Sequence, residues 1–227
     1  TMFMRRKVDG IIVGAIGKPT EKLYSKLSVP MVSLYKIIGR KNIISSSEDG
    51  GAQVARHFCS TGRTRVGYLG PTSSQYGNDK LAGLESGLEA CGLKIAKILD
   101  CNQHETAENQ KAYQIFSRYL EENDPRAINA WFAHSDIAAS DIIRALMEHG
   151  VRVPEDVSVC GYNDTLLARK MIPSVSSVAS PIDEIARMAI ELLIHAIDQD
   201  NEPETVCLTP HLVIRESSVV RIDKIRP

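Results

Sequence analysis

Short apolar segments alternate with amphipathic segments along almost the whole chain, and this alternation limits the folds open to it. Residues 8–14, 30–34 and 66–70 are apolar runs bounded by glycine or proline, which is typical of buried β-strands. Within residues 49–61, apolar side chains recur at three- and four-residue spacing, which predicts a helix. Repeated strand, helix, strand units predict parallel sheets covered by helices, with ligand-binding groups on loops at the carboxyl ends of the strands.

The same pattern continues to the end of the chain. Gly62, Gly92 and Gly150 each follow a predicted helix, where a glycine often ends the last turn. Asp49 stands where an N-cap residue is expected, and Pro181 is well placed in the first turn of its helix. The further predicted strands are 43–44, 95–99, 128–133 and 157–161, and the further predicted helices are 19–27, 81–88, 112–120, 135–149 and 181–197.

Composition excludes several classes of protein. The 227 residues are 43% hydrophobic and 24% charged, which describes a globular chain of one large domain or two lobes rather than a disordered one. The net charge is −1, so the chain lacks the basic balance of a protein that binds DNA by itself. No apolar run reaches the length of a membrane span. The five cysteines are scattered and residues 1–7 do not resemble a secretory signal, so we expect a cytoplasmic protein without a metal site.

Motifs that carry enzyme chemistry are weak. Residues 14–20 place a lysine after two glycines, but Pro19 separates this lysine from Thr20 and the spacing differs from a phosphate-binding loop. The sequence contains no GxGxxG after a strand, no HExxH and no GxSxG. Adjacent carboxylates stand mostly at predicted helix starts or turns. At a helix start, their negative charge interacts favourably with the helix dipole. We therefore expect a binding protein with no cofactor rather than an enzyme.

One segment carries a family resemblance. Residues 151–164 read VRVPEDVSVCGYND, and PSVSSV follows at residues 173–178. This segment resembles the effector-binding core of the LacI/GalR family of bacterial transcription regulators. Further matches keep the family's order from residue 8 to residue 218. They are VDGIIV at 8–13, PMVS at 30–33, DGG at 49–51, TGRTRVGYLG at 61–70, LAG at 81–83 and LTPHLVIR at 208–215.

The resemblance implies a periplasmic-binding-protein-like fold of type I, an α/β architecture with two Rossmann-like lobes joined by three crossovers. The crossovers are expected near residues 70–71, 180–181 and 207–208. The N-terminal lobe would then comprise residues 1–70 and 181–207, without its first strand. The C-terminal lobe would comprise residues 71–180 and 208–227. The family's helix-turn-helix domain and hinge helix would precede Thr1 and are expected to be absent from this chain.

The resemblance also implies a function. Family members sense a small effector, often a sugar or related metabolite, held between the lobes, and we expect this chain to belong to a repressor. They form homodimers and bind operator DNA through the headpiece. Two alternatives stay open: a solute-binding protein of an ABC transporter, which shares the fold, and an α/β enzyme on the same architecture. Unpaired cysteines and the GYND and PSVSSV pattern count against the transporter protein.

Candidate effector-binding residues follow from the aligned positions. Lys80 stands where the family usually has an arginine that binds the ligand, and a lysine replaces a planar fork by a mobile point charge. Either the ligand differs from the usual one or Lys80 is an ordinary helix lysine. Ser135 is either a ligand contact or an N-cap. Asn163 and Asp164 match a usual pair of aspartates, of which the first commonly holds ligand hydroxyl or amino groups. An asparagine keeps a donor and an acceptor but carries no charge.

Three weaker candidates complete the set. His104 aligns loosely with a position that often carries an aromatic ring for stacking, and it is otherwise a loop residue. Ile182 stands where the family often has an aromatic residue. Asp49 is a candidate contact, although a helix cap is the better explanation for it.

Overall fold

The computed structural model describes residues 8–14, 29–101, 111–198 and 202–219. The predicted helix at 19–27 and the candidate His104 lie outside the described residues. The strands are β1 Ile11–Val13, β2 Met31–Leu34, β3 Lys41–Ser45, β4 Val66–Gly70, β5 Ile95–Asp100, β6 Ala130–Ala133, β7 Ser158–Tyr162, β8 Ser176–Ala179, β9 Glu204–Leu208 and β10 His211–Val213. The helices are α1 Ser47–Ser60, α2 Gln75–Glu89, α3 Lys111–Glu122, α4 Asp136–Glu148, α5 Leu166–Lys170 and α6 Ile182–Ile197, and a 3-10 turn spans Glu216–Ser218.

The chain folds into two compact units, and each has its own sheet. The first unit comprises residues 1–46 and 181–209, and the second comprises residues 47–180 and 210–227. In the first unit, four parallel strands follow the order β1-β2-β3-β9. The apolar face of α6, with Ile185, Ala189 and Leu192, packs on Val32 and Ile43 of this sheet.

The second unit contains a six-stranded sheet in the order β10-β8-β7-β6-β4-β5. All neighbouring strands are parallel except β10, which runs antiparallel to β8. Trp131 of β6 is fully buried and meets Phe116 edge to face at 4.9 Å between ring centroids. Tyr68 and Phe132 belong to a second buried cluster. Helices bury both faces of the sheet, and this confirms the predicted α/β fold with mainly parallel sheets.

Helices α1 and α2 pack closely because glycines line their contact. A Cβ atom added to Gly83 would lie 1.9 Å from the Glu48 carbonyl oxygen. A Cβ atom on Gly87 would lie 2.6 Å from the Cβ of Ala55. Only residues without a side chain let the two backbones approach this closely. We call this contact the glycine seam.

The division of the chain differs from the expected one at its first boundary. The sequence analysis gave residues 47–70 to the N-terminal lobe, whereas the structure places them in the second unit. The reason is that β4 pairs with both β5 and β6, and α1 packs along α2. The crossing therefore follows Ser46 rather than Gly70.

Helix ends were predicted well from glycine and less well from polar residues. Gly62, Gly92 and Gly150 have φ of 74°, 74° and 68°, which confirms that they stop the preceding helices in the left-handed region. Asp49 is not the N-cap of α1, because the helix begins at Ser47 and places Asp49 within the first turn. No helix among the described residues combines the length and apolar character that a membrane crossing requires.

Candidate functional site

The order of the larger sheet defines where a ligand is expected. The chain runs from β4 outward to β5 and then returns to the other side of β4 to form β6. In sheets of this kind, ligands bind outside the carboxyl ends of the strands at the point where the order reverses. That point lies between β4 and β6, so the residues that follow these strands and β7 form the candidate site.

Lys80 of α2 reaches this switch point. Its Nζ donates a hydrogen bond to the His134 carbonyl oxygen, just after β6, at 2.9 Å. The same Nζ lies 3.7 Å from the ring centroid of Tyr162 at the end of β7. Burial lowers the pKa of Lys80 to about 8, and the nearby Asp136 carboxylate opposes this shift. Lys80 thus joins the ends of β6 and β7 and places a cationic donor where a ligand is expected.

Tyr162 connects Lys80 with the start of α1. Its ring packs so closely on Gly50 that an added Cβ there would lie 2.9 Å from Cε2. Burial raises the pKa of Tyr162, the nearby Ser47 hydroxyl lowers it, and the Asp49 carboxylate raises it. Asp49 is exposed at the start of α1 and is therefore close to the candidate site through this hydroxyl group.

Asp136 is the buried centre of a hydrogen-bond network at the same edge of the sheet. Its side chain is 1% exposed. Oδ1 accepts from the Ser177 hydroxyl at 2.5 Å, and Oδ2 accepts from the Thr165 amide at 2.6 Å and its hydroxyl at 2.8 Å. Burial raises the pKa of Asp136, whereas these three hydrogen bonds lower it. The carboxylate joins the start of α4 to β8 and to the turn after β7.

The turn after β7 has an unusual backbone. Asn163 and Asp164 have φ of 100° and 48°, a region that non-glycine residues rarely occupy. Two hydrogen bonds hold the turn in this conformation. The Asn163 amide donates to the Val178 carbonyl at 2.8 Å, and the Asp164 amide donates to the Ser177 hydroxyl at 3.0 Å. Strain of this kind persists where surrounding contacts enforce it, often at ligand sites. The turn leaves the Asn163 side chain exposed at the edge of the sheet.

Asp164 forms ion pairs with two arginines. Its Oδ2 lies 2.7 Å from Arg169 and its Oδ1 lies 2.6 Å from Arg215. The Asp164 side chain is 8% exposed, whereas Arg169 is 58% exposed. These ion pairs give Asp164 a structural role, in which it fixes the turn that presents Asn163.

The remaining candidates occupy different places. Ser135 is the N-cap of α4, and its hydroxyl oxygen accepts from the Ala138 amide at 3.1 Å. Lys80, Ser135, Asn163 and Asp164 thus follow the carboxyl ends of neighbouring strands in the second unit. Ile182 is the first residue of α6, in the first unit, and it is 59% exposed.

Sequence reasoning missed two residues that shape the site. Tyr162 supplies the aromatic face beneath Lys80, and Asp136 holds the strained turn in place. Both had a usable signal, because Tyr162 ends a buried strand next to Asn163, and Asp136 follows Ser135 at the start of α4. The pattern could not show that Asp136 points inward while Asn163 points outward.

The arrangement suits a small polar molecule. It offers a cationic donor over an aromatic ring, with a hydroxyl group and a neutral amide after the ends of neighbouring strands, and groups of these types bind oxygen-rich ligands. Within residues 8–14, 29–101, 111–198 and 202–219, no cluster of three histidine, cysteine or acidic side chains could hold a metal ion.

Comparison with known proteins gives a family match. Residues 55–218 match the model of the family described as periplasmic binding protein-like domain. This segment covers most of the chain and includes the candidate residues of the second unit other than Asp49.

Individual relatives are transcription regulators. The chain is 27% identical to the HTH-type transcriptional repressor PurR of Shigella dysenteriae over 96% of its own length and 65% of that protein. Among solved structures, it resembles the transcription regulator GntR from Chromobacterium violaceum, with a TM-score of 0.80, 28% identity and coverage of 96% of this chain and 81% of that one. It also resembles the regulator CelR in complex with cellobiose, with a TM-score of 0.77, 27% identity and coverage of 94% and 67%. The chain spans about two thirds of the length of the PurR sequence.

Proposed function

The chain belongs to the periplasmic binding protein-like domain family. On this premise we propose that it is the effector-binding core of a LacI-type bacterial transcription regulator, and that this regulator is a repressor. The observation that carries the proposal is the extent of the similarity. A repressor sequence aligns with 96% of this chain, so the relationship includes the candidate site as well as the framework.

The proposed effector is a sugar or a related oxygen-rich metabolite. Lys80 and Asn163 supply donors and an acceptor to hydroxyl groups, and the CelR relative is a cellobiose complex. Such an effector controls DNA binding by its differential affinity for two states of the protein. The whole regulator is proposed to act in the cytoplasm as a homodimer, on operator DNA, through a helix-turn-helix headpiece outside this chain. The process requires no catalysis.

A ligand panel tests the effector. The purified chain is titrated by calorimetry with pentoses, hexoses, disaccharides and purine bases, and each mixture is assayed for product. Binding of a sugar without turnover supports the proposal. Turnover of any compound would replace it with an enzyme function, and binding of purines alone would overturn the sugar class.

The coding sequence upstream of Thr1 tests the regulatory role separately. A helix-turn-helix followed by a hinge and a first strand supports a regulator. A secretory signal joined directly to a strand would instead indicate the solute-binding protein of a transporter. The intact protein should then shift operator DNA in a gel, and the sugar found in the panel should change that shift.

A further inference from the structure

The glycine seam aligns two cysteines at its far end. The contacts of Glu48 with Gly83 and of Ala55 with Gly87 advance together along both helices, so α1 and α2 run parallel. One helical turn beyond Ala55 and Gly87 come Cys59 and Cys91. Cys59 is near the end of α1, and Cys91 follows the end of α2. The seam therefore places the two cysteines side by side where the helix backbones approach closely.

The two thiols also influence each other electrostatically. Burial raises the pKa of Cys59 to about 11, and the neighbouring Cys91 thiol adds to the rise. Both cysteines are reduced, Cys59 is partly buried and Cys91 is exposed. Because an oxidant reaches exposed sulfur first, Cys91 is the thiol that is oxidised first. Cys59 is the resolving thiol, which reacts with the oxidised Cys91.

We propose that Cys59 and Cys91 form a reversible oxidation site, in which a hydroperoxide converts the two thiols to an intramolecular disulfide. This site lies at the far end of the seam from Lys80 and is independent of the proposed effector function.

The chemistry needs only a hydroperoxide. The Cys91 thiolate attacks the O–O bond, which gives a Cys91 sulfenic acid and releases an alcohol or water. The Cys59 thiol then attacks the Cys91 sulfur, so that an S–S bond forms and the sulfenic oxygen leaves as water. The two sulfurs lose two electrons in total, and the O–O bond takes up both. A dithiol reductant reverses the reaction by thiol exchange.

The disulfide would join the ends of α1 and α2 and close a loop that contains β4 and α2. A cross-link of this kind restricts the unfolded chain. We therefore expect the oxidised protein to unfold at a higher urea concentration than the reduced protein.

The other cysteines supply controls. Cys101 and Cys160 are buried, and Cys207 is exposed on β9 in the first unit. The variant Cys207→Ser removes the remaining exposed thiol among the described residues and leaves the pair intact. Cys59→Ser keeps the exposed Cys91 and removes its partner.

The experiment treats the Cys207→Ser protein with hydrogen peroxide and maps its peptides by mass spectrometry. We expect a peptide pair linked through Cys59 and Cys91, lost on treatment with dithiothreitol, and formed roughly tenfold faster in the folded chain than in concentrated urea because folding holds the thiols together. In Cys59→Ser, we expect dimedone to trap a sulfenic acid at Cys91. Dimedone labelling of Cys91 without linkage in the Cys207→Ser chain would overturn the proposal. Equal linkage rates in folded and unfolded chains would overturn it too.

Discussion

At the scale of single residues, the candidate site contains Lys80, whose ammonium group is largely removed from solvent. A buried ammonium group loses water that a carbonyl oxygen and an aromatic ring replace only in part. This explains why burial lowers the pKa of Lys80 from 10.5 to about 8. Because the folded protein favours the neutral amine, the full contribution of Lys80 to stability is present only above pH 10.5 and is lost as the pH falls toward 8.

The variant Lys80→Met tests this linkage. The difference in free energy of unfolding between the original protein and this variant should shift in favour of the original as the pH rises from 8 to 9.5, measured by urea unfolding. The matched control is Lys94→Met, which replaces an exposed lysine and should give a difference independent of pH. A difference for Lys80→Met that is constant over this range would contradict burial of the ammonium group.

Asn163 combines an unfavourable backbone with an exposed amide. Its φ of 100° is easy for glycine and costly for alanine. We expect Asn163→Gly to weaken effector binding by about 1–3 kcal/mol through the lost hydrogen bond, with stability unchanged or raised. Asn163→Ala should lose the same binding and also lower the unfolding midpoint. Calorimetry with the effector and thermal unfolding measure the two effects, and full affinity in both variants would remove Asn163 from the site.

At the scale of elements, Asp136 fastens three pieces of secondary structure together. It lies in the first turn of α4 and accepts hydrogen bonds from β8 and from Thr165, which precedes α5. Removing its charge leaves buried donors without a good acceptor. The strained turn with Asn163 depends on the same contacts.

The variant Asp136→Asn should lower the free energy of unfolding by about 2–3 kcal/mol, measured in urea. It should also weaken effector binding, because the turn loses its anchor. Asp183→Asn is the control, since Asp183 is also in the first turn of a helix but is exposed. If both variants lose the same small amount of stability, Asp136 acts through the helix dipole alone and the network has no separate role.

The glycine seam determines how α1 and α2 pack. Gly87→Ala should lower the free energy of unfolding by about 1–3 kcal/mol, because its methyl group meets that of Ala55. Adding Ala55→Gly to this variant should recover part of the loss. Gly14→Ala is the control, because its Cβ would have no atom within 4 Å. Equal stability of the Gly87 and Gly14 variants would show that the helices can separate at no cost.

At the scale of the whole molecule, the end of the described chain returns to close the second unit. Strand β10 pairs with β8 and forms one edge of the sheet, and the Ser217 hydroxyl donates to the Val159 carbonyl at 2.6 Å. The Ser218 hydroxyl lies 2.7 Å from Nε2 of the buried His57 on α1. Segments separated by 161 positions in sequence thus meet at one histidine.

This histidine should make stability depend on pH. Burial lowers the pKa of His57 below 6.5, and hydrogen bonding to Ser218 opposes the shift only in part. The fold therefore favours the neutral ring, so its stabilising effect is complete above pH 6.5 and is lost as the pH falls through the lowered pKa. Urea unfolding between pH 7 and pH 5 should show a decline of at most about 1.4 kcal/mol per pH unit from this group.

His57→Gln should flatten this decline, and His195→Gln, at an exposed position of α6, should leave it unchanged. The prediction is wrong if the decline persists in His57→Gln with its original slope.

The sequence by itself determined the elements and the class of fold. Apolar periodicity within about ten residues predicted α1 and β4, and the glycines that end helices were located correctly because left-handed backbone favours glycine wherever it occurs. Short elements such as β10 and α5 lack enough residues for a periodic signal. The aligned motifs also indicated the neighbourhood of Lys80 and Asn163.

Only the tertiary structure decided which of those residues meet. Lys80 lies against His134 and Tyr162 because β4 is the neighbour of β6 in the sheet. Local sequence patterns do not determine the order of strands in a sheet. The same pairing moved residues 47–70 into the second unit. Local patterns show which side chains each segment buries, whereas burial of Lys80, strain at Asn163 and the proximity of Cys59 to Cys91 arise from segments far apart in the chain. Their free energies depend on neighbours that exist only after folding.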